Sequence, residues 1–103
     1  MYTLNLKNVD ENAAVQLKEE LRKVAGEDVM LFQGKGFNGL EELTLLLPVI
    51  APSLIEVTGN IIINWMNRNQ NQNRRVEIDI DGNIIIDNYN AEDVIRILES
   101  RKK

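Results

Sequence analysis

The 103-residue sequence predicts one α+β domain with the element order β-α-β-α-β-β-α. The prediction depends on three observations: alternating apolar residues at the start of the chain, later segments with helical apolar spacing, and a strand-turn-strand pattern near the end. A chain of this length buries roughly two thirds of its unfolded surface, which is enough for one hydrophobic core. We therefore expect residues 1–103 to form a single domain, with helices packed on one mixed four-stranded sheet.

The first third of the chain predicts a strand, a helix and a second strand. Apolar and polar residues alternate over residues 2–7, the period of a half-buried strand. Asp10 is a suitable N-cap for the helix that follows, and the apolar stripe of that helix ends at Gly26. Residues 28–33 then form a short apolar run. A strand-helix-strand order usually places its two strands parallel to each other.

The middle of the chain predicts a long helix. Pro52 fits the first turn of a helix that runs to about Asn69, and Pro48 argues against an unbroken helix before it. We therefore expect residues 43–50 to form a separate short helix or turn. Residues 67–75 are rich in Asn, Gln and Arg without apolar periodicity, which predicts a polar loop.

The last third of the chain predicts a hairpin and a closing helix. Two alternating segments flank Asp81-Gly82, a pair that favours the backbone of a tight two-residue turn. Asn90 is a suitable N-cap for the final helix, with Asp93 three residues further on. Val94 and Leu98 belong to the apolar face that this helix is expected to bury.

Composition bears on the class of protein. The chain has no histidine and no cysteine, so the commonest general base, the commonest metal ligand and every thiol are missing. We therefore expect no enzyme, no metal site and no cofactor. A net charge of −4 argues against nucleic acid as a partner, because contacts with phosphates dominate that affinity. The first residues have no pattern of a secretion signal, so a cytoplasmic location is expected.

Two short patterns resemble ligand sites. Residues 34–39, GKGFNG, match G-x-G-x-x-G after a predicted strand, where backbone amides would meet a phosphate. A flexible turn explains the same glycines better, because the rest of a dinucleotide fold is missing. Residues 77–88 resemble a calcium loop, yet they lack the closing glutamate and lie on strands instead of between helices. The solvent side of a hairpin explains this second pattern.

The apolar segment over residues 45–66 raises the question of a membrane span. Eleven Leu, Ile and Val residues between positions 45 and 65 favour insertion by about 3 to 7 kcal/mol in all. Glu56 opposes insertion by about 3 kcal/mol, and two asparagines and two prolines add to that cost. These contributions to the free energy of insertion sum to about zero, so we do not expect a single copy of the segment to span a membrane.

The same segment predicts a helix with a narrow polar stripe, roughly 80° wide. An ordinary surface helix has a wider polar side, so we expect this one to be covered on more than one side, either by other helices or, as we favour, by a second copy of the chain. The polar stripe consists of Ser53, Glu56, Asn60 and Asn64. The expected interface consists of Leu54, Ile55, Ile61, Ile62, Trp65 and Met66.

Several features follow one another along nearly the whole chain. They are the opening strand, helix and strand, a glycine-punctuated turn before the apolar helix, the basic link NRR, the hairpin VEIDIDGNIIID and the closing helix NAEDVIRILES. This layout resembles the effector-associated constant component families, small α+β proteins encoded in bacterial conflict systems beside effectors such as peptidases and NTPase switches. The resemblance implies an adaptor, sensor or assembly partner in defence, and it carries over no catalytic residue.

The leading hypothesis from the sequence is a non-enzymatic adaptor of a bacterial defence system. It would self-associate through residues 52–66 and connect to an effector protein. One alternative is an oligomeric, membrane-associated effector that inserts residues 45–66 into a bilayer as a pore. A second alternative is a small nucleotide-binding or ligand-binding protein that uses the turn from Gly34 to Gly39.

Overall fold

The structure is a computed structural model that describes residues 1–35, 41–70, 75–86 and 89–100. These residues form five strands and three α-helices, and one turn of 3-10 helix, Pro52–Leu54, leads into the second α-helix. The elements are β1 Tyr2–Lys7, α1 Glu11–Ala25, β2 Met30–Lys35, β3 Glu41–Leu47, α2 Ile55–Asn69, β4 Glu77–Ile80, β5 Asn83–Ile85 and α3 Ala91–Ser100.

The strands form one sheet in the order β2-β3-β1-β4-β5, and every neighbouring pair is antiparallel. The α+β class is confirmed, but the mixed four-stranded sheet is wrong. The fifth strand is β3, which replaces the short helix or turn expected over residues 43–50. β1 and β2 do run in the same direction, as a strand-helix-strand order predicts. They are not neighbours, because β3 lies between them and is antiparallel to both.

Alternation explains why residues 43–47 form a strand. Leu43, Leu45 and Leu47 are all buried on the side of the sheet that faces the helices. Leu46 points to the opposite side, where it lies across from Met30 of β2 and Thr3 of β1. The leucine at position 46 masks the period of two in the sequence.

The first six α- and β-elements have a recognised topology. The order β-α-β-β-α-β, with β3 and β4 on either side of β1, is the split β-α-β arrangement called ferredoxin-like. β5 and α3 extend this unit at its β4 edge. Such a fold supports many unrelated functions, so the topology by itself indicates none.

Local signals place the turns and helix ends where the sequence predicts them. Asp81 and Gly82 both have positive φ angles, 51° and 93°, as a two-residue hairpin turn of type I′ requires. The Asp10 carboxylate accepts a hydrogen bond from the Ala13 amide at 2.8 Å and so caps α1. Asn90 and Asp93 form a reciprocal capping box at the start of α3, with bonds of 2.9 and 3.1 Å. α2 ends at Asn69, as expected.

All three helices pack on the same face of the sheet. The strand registers place Leu4, Leu45 and Ile80 side by side in one row, and all three are fully buried. Of two buried long-range hydrogen bonds, one joins the sheet to a helix and the other joins two helices. The Tyr2 hydroxyl donates to the Leu98 carbonyl in the last turn of α3 at 2.8 Å, and the Trp65 indole N–H donates to the Ala13 carbonyl of α1 at 2.8 Å. The first of these satisfies a carbonyl at a helix end.

α2 and α3 approach each other closely at Gly59 of α2. A Cβ atom built on Gly59 would lie 2.7 Å from Cγ1 of Ile95 and 3.4 Å from the Ala91 carbonyl oxygen, both on α3. Glycine costs about 1 kcal/mol in a helix interior relative to alanine. Here the missing side chain lets α3 pack directly against the backbone of α2.

We expect Gly59→Ala to destabilise the fold by about 1–2 kcal/mol, because the overpacking outweighs the gain in helix propensity. The measurement is the free energy of unfolding from urea titration. Ile95→Ala removes the atom that clashes, so in that background Gly59→Ala is expected to stabilise the chain by up to about 1 kcal/mol. If Gly59→Ala lowered the free energy of unfolding equally in both backgrounds, Ile95 would not be the residue that limits how closely α3 packs against α2.

Candidate interaction site

The expected interface residues of α2 lie mostly inside the molecule. Four of the six are buried within a single chain, and the other two are partly buried at the core's margin. The sheet, α1 and α3 of the same chain cover them, so this coverage needs no second copy. The buried four are Ile55, Ile62, Trp65 and Met66, and the partly buried two are Leu54 and Ile61.

The expected polar stripe lies in solvent. Ser53, Glu56, Asn60 and Asn64 are all exposed, and the Asn60 side-chain amide donates to the Glu56 carbonyl at 2.9 Å. Exposed residues at 57 and 67–68 widen the solvent side of the helix to about 120° at 100° per residue. The expectation of a very apolar central helix is therefore not confirmed, because α2 has an ordinary solvent side.

The apolar segment over residues 45–66 is divided among several elements. It begins in β3, passes through the turn that contains Pro52, and continues into α2, whose 15 residues span about 22 Å. A bilayer's hydrocarbon core is about 30 Å thick. Among the described residues, no helix combines the length and the apolar character that a membrane crossing requires.

The two ligand-like patterns lie elsewhere on the sheet. Gly34 and Lys35 are the last residues of β2, and positions 36–39 of the glycine turn lie outside the described residues. In the hairpin, the Asp79 carboxylate accepts from the Gly82 amide at 2.7 Å, and the Asp81 carboxylate accepts from the Thr3 amide at 3.2 Å. The Asp79 carboxylate stabilises the hairpin turn, and the Asp81 carboxylate joins that turn to β1. The described part of the chain brings no three metal-binding side chains together.

The side of the sheet away from the helices, which we call the open sheet face, is a surface of mixed character. One row crosses all five strands there, and it is polar in the middle and apolar at both ends. In the centre, the Thr44 hydroxyl donates to the Asn5 side-chain oxygen at 2.9 Å. The row consists of Phe32, Thr44, Asn5, Asp79 and Ile84.

The β2 edge, which is the outer side of residues 30–35, is the second candidate surface. No described strand pairs with it. Two large apolar side chains stand beside it on the open sheet face: Met30 is 51% exposed and Phe32 is 47% exposed. The opposite edge, β5, has three residues, and Ile84 there is also 47% exposed. A long apolar edge strand is a template for pairing with another strand.

A shallow groove between β5 and α3 is a third surface. Tyr89, Asp93 and Arg96 contribute polar groups to it, beside Ile84 and Ile97. Asp93 already bonds the Asn90 amide as part of the helix cap. The groove is open to solvent, so it holds a small molecule less well than an enclosed pocket does.

We expect Ile62→Asp to abolish cooperative folding, because a carboxylate at this fully buried position costs several kcal/mol out of a total stability of about 5–15 kcal/mol. Circular dichroism during thermal unfolding measures this. The matched control is Asn64→Asp, which changes the charge equally at an exposed position of the same helix and is expected to stay within about 0.5 kcal/mol of the parent. A folded Ile62→Asp chain that only loses self-association would instead place Ile62 between copies.

In comparisons with known proteins, no family model, curated protein or solved structure matches this chain. The candidate surfaces on the described residues are the open sheet face, the β2 edge and the groove between β5 and α3.

Proposed function

We propose that this chain is a non-enzymatic interaction module that associates with copies of itself and links to an effector protein in a bacterial defence system. The observation that carries the proposal is the β2 edge, a six-residue edge strand flanked by exposed Met30 and Phe32. The proposal keeps the self-association expected from the sequence and moves it from α2 to the sheet, because the apolar residues of α2 form the chain's own core.

Exposure and chemistry support the β2 edge as a contact surface. Apolar residues exposed singly are ordinary on protein surfaces. Met30 and Phe32 are instead next to each other on one face of the strand, and Leu46 extends the apolar area on β3. Aromatic residues and methionine are enriched in protein interfaces. Main-chain groups at the same edge would supply hydrogen bonds to a second strand.

The link to an effector rests on the resemblance to the effector-associated constant component families. The β4 and β5 side of the open sheet face suits a separate partner, because Glu77 and Asp79 lie there near exposed Ile84. With a net charge of −4, the chain favours a partner whose contact surface is positively charged. A peptidase or an NTPase switch is the kind of partner that we propose.

The alternative of a membrane-inserting effector has less support. Insertion of residues 45–66 would remove Ile62, Trp65 and Met66 from the core, where each is almost fully buried. It would also break the bond from Trp65 to Ala13 of α1. The function would then require unfolding of the domain, whereas association through β2 leaves the core intact.

Sedimentation velocity across the micromolar range is expected to show the chain self-associating. Phe32→Glu should weaken the association at least about tenfold, because it places a charge in an apolar contact. Ile84→Glu is the matched control: the exposed fraction is the same, the charge change is the same, and the position is at the opposite edge. A chain that stays monomeric throughout, or equal effects of the two variants, would contradict the proposed surface.

The defence role predicts the genes that surround this one. A peptidase, nuclease or NTPase gene is expected next to it, and inspection of the gene neighbourhood in several genomes tests this. Ribosomal or metabolic neighbours would contradict the defence role and leave the proposed self-association standing.

A further inference from the structure

We infer that two copies of this chain pair antiparallel through β2 about a twofold axis at Leu31, so that their sheets join into one continuous sheet. The inference rests on the proposed self-association and specifies which residues face each other. The partner is a second copy of the chain, and the contact is isologous because the same strand is used on both sides.

The two edges of the sheet differ in their suitability for strand pairing. β2 offers six residues, has no proline, and carries no charged residue before Lys35 at its end. β5 offers three residues directly after a tight turn, and a short edge strand is one way in which proteins prevent such pairing. The remaining strands each have a neighbour on both sides. The β2 edge is therefore the edge that can accept another strand of useful length.

The positions of the apolar side chains select the register. In an antiparallel pair about a twofold axis, the residue on the axis faces its own copy, and residues on either side of it face each other. An axis at Leu31 places Met30 of each copy opposite Phe32 of the other. Both side chains belong to the open sheet face, so the pairing creates two sulfur–aromatic contacts.

The two neighbouring registers each leave one of these side chains without an apolar partner. An axis at Met30 would place Phe32 opposite Asp28, a charged residue in the turn before the strand. An axis at Phe32 would pair that residue with itself but leave Met30 opposite Gly34. Among these three axes, only the one at Leu31 gives both exposed side chains an apolar partner. It also brings the half-buried Leu31 side chains of both copies together on the helix-covered face.

The charged positions near the strand ends are compatible with the same register. With the axis at Leu31, Lys35, whose neighbour on β3 is Glu41 of its own chain, is level with Glu27 of the other copy, and Gly34 is level with Asp28. No like charges are therefore placed directly opposite each other between the two β2 strands, an arrangement that would destabilise the pair.

The absence of cysteine from the sequence makes the register measurable by disulfide cross-linking. Residues directly opposite each other have Cα atoms about 4.5–5.5 Å apart, within disulfide range, whereas diagonal neighbours are about 7–8 Å apart and out of range. Under mild oxidation, Leu31→Cys is therefore expected to form a covalent dimer. Met30→Cys alone and Phe32→Cys alone should not, but an equimolar mixture of the two should form a mixed dimer. Mass spectrometry identifies each product.

The outcomes separate this inference from the proposed function. Cross-linking by Leu31→Cys and by the mixture supports the Leu31 axis. A covalent dimer from Met30→Cys alone or Phe32→Cys alone moves the axis and overturns the inference, while self-association stands. Self-association in sedimentation with no cross-link in any variant also overturns it. A parent chain that stays monomeric overturns both.

Two controls keep the experiment decisive. Ile84→Cys has a thiol of similar exposure at the opposite edge and is expected to stay uncross-linked. Thermal unfolding of each reduced variant shows whether it folds. Should Leu31→Cys fail to fold, the mixture of Met30→Cys and Phe32→Cys decides alone, because both positions are solvent-exposed in the monomer and report the same register.

Discussion

The contact between α2 and α3 at Gly59 is the constraint on which the rest of the structure depends. α2 has more apolar surface than the sheet alone can cover, and α3 covers the remainder only because no side chain at position 59 holds it away. Trp65 then fixes the other flank of α2 to the first turn of α1. With a helix on each side and the sheet beneath, α2 keeps about 120° of its circumference for solvent.

This packing determines which surfaces remain for other molecules. The residues of α2 that suggest an interface in the sequence are the same residues that close the core, so they contribute to stability within one chain. Every described helix lies on one face of the sheet. Among the described residues, the surfaces left open to other molecules include the opposite face and the ends of the strand order, where apolar side chains such as Met30 and Phe32 are half exposed.

Most features set by a few consecutive residues were predictable from the sequence, and features set by distant residues were not. The Asp10 cap, the Asp81-Gly82 turn and the end of α2 follow from local rules and are confirmed. β3 was missed because Leu46 on the open sheet face disguises the alternation of its neighbours. The coverage of α2 depends on how α3, far along the chain, meets Gly59, and no local pattern near position 59 encodes that meeting. The candidate site at β2 was missed for a similar reason, because a strand's place at the edge of a sheet follows from the pairing of all the strands.

The last two elements, β5 and α3, affect both the packing of the core and the edges of the sheet that stay exposed. Without β5, the sheet would consist of four strands and would have its edges at β2 and β4. β5 pairs with β4 and replaces that edge with a strand of three residues, while α3 covers α2 and accepts the Tyr2 hydrogen bond at its last turn. The C-terminal addition therefore completes the core and shortens one edge of the sheet. Among the described elements, none does the same for β2, and because of this asymmetry β2 is the edge where a second strand would add with the least rearrangement.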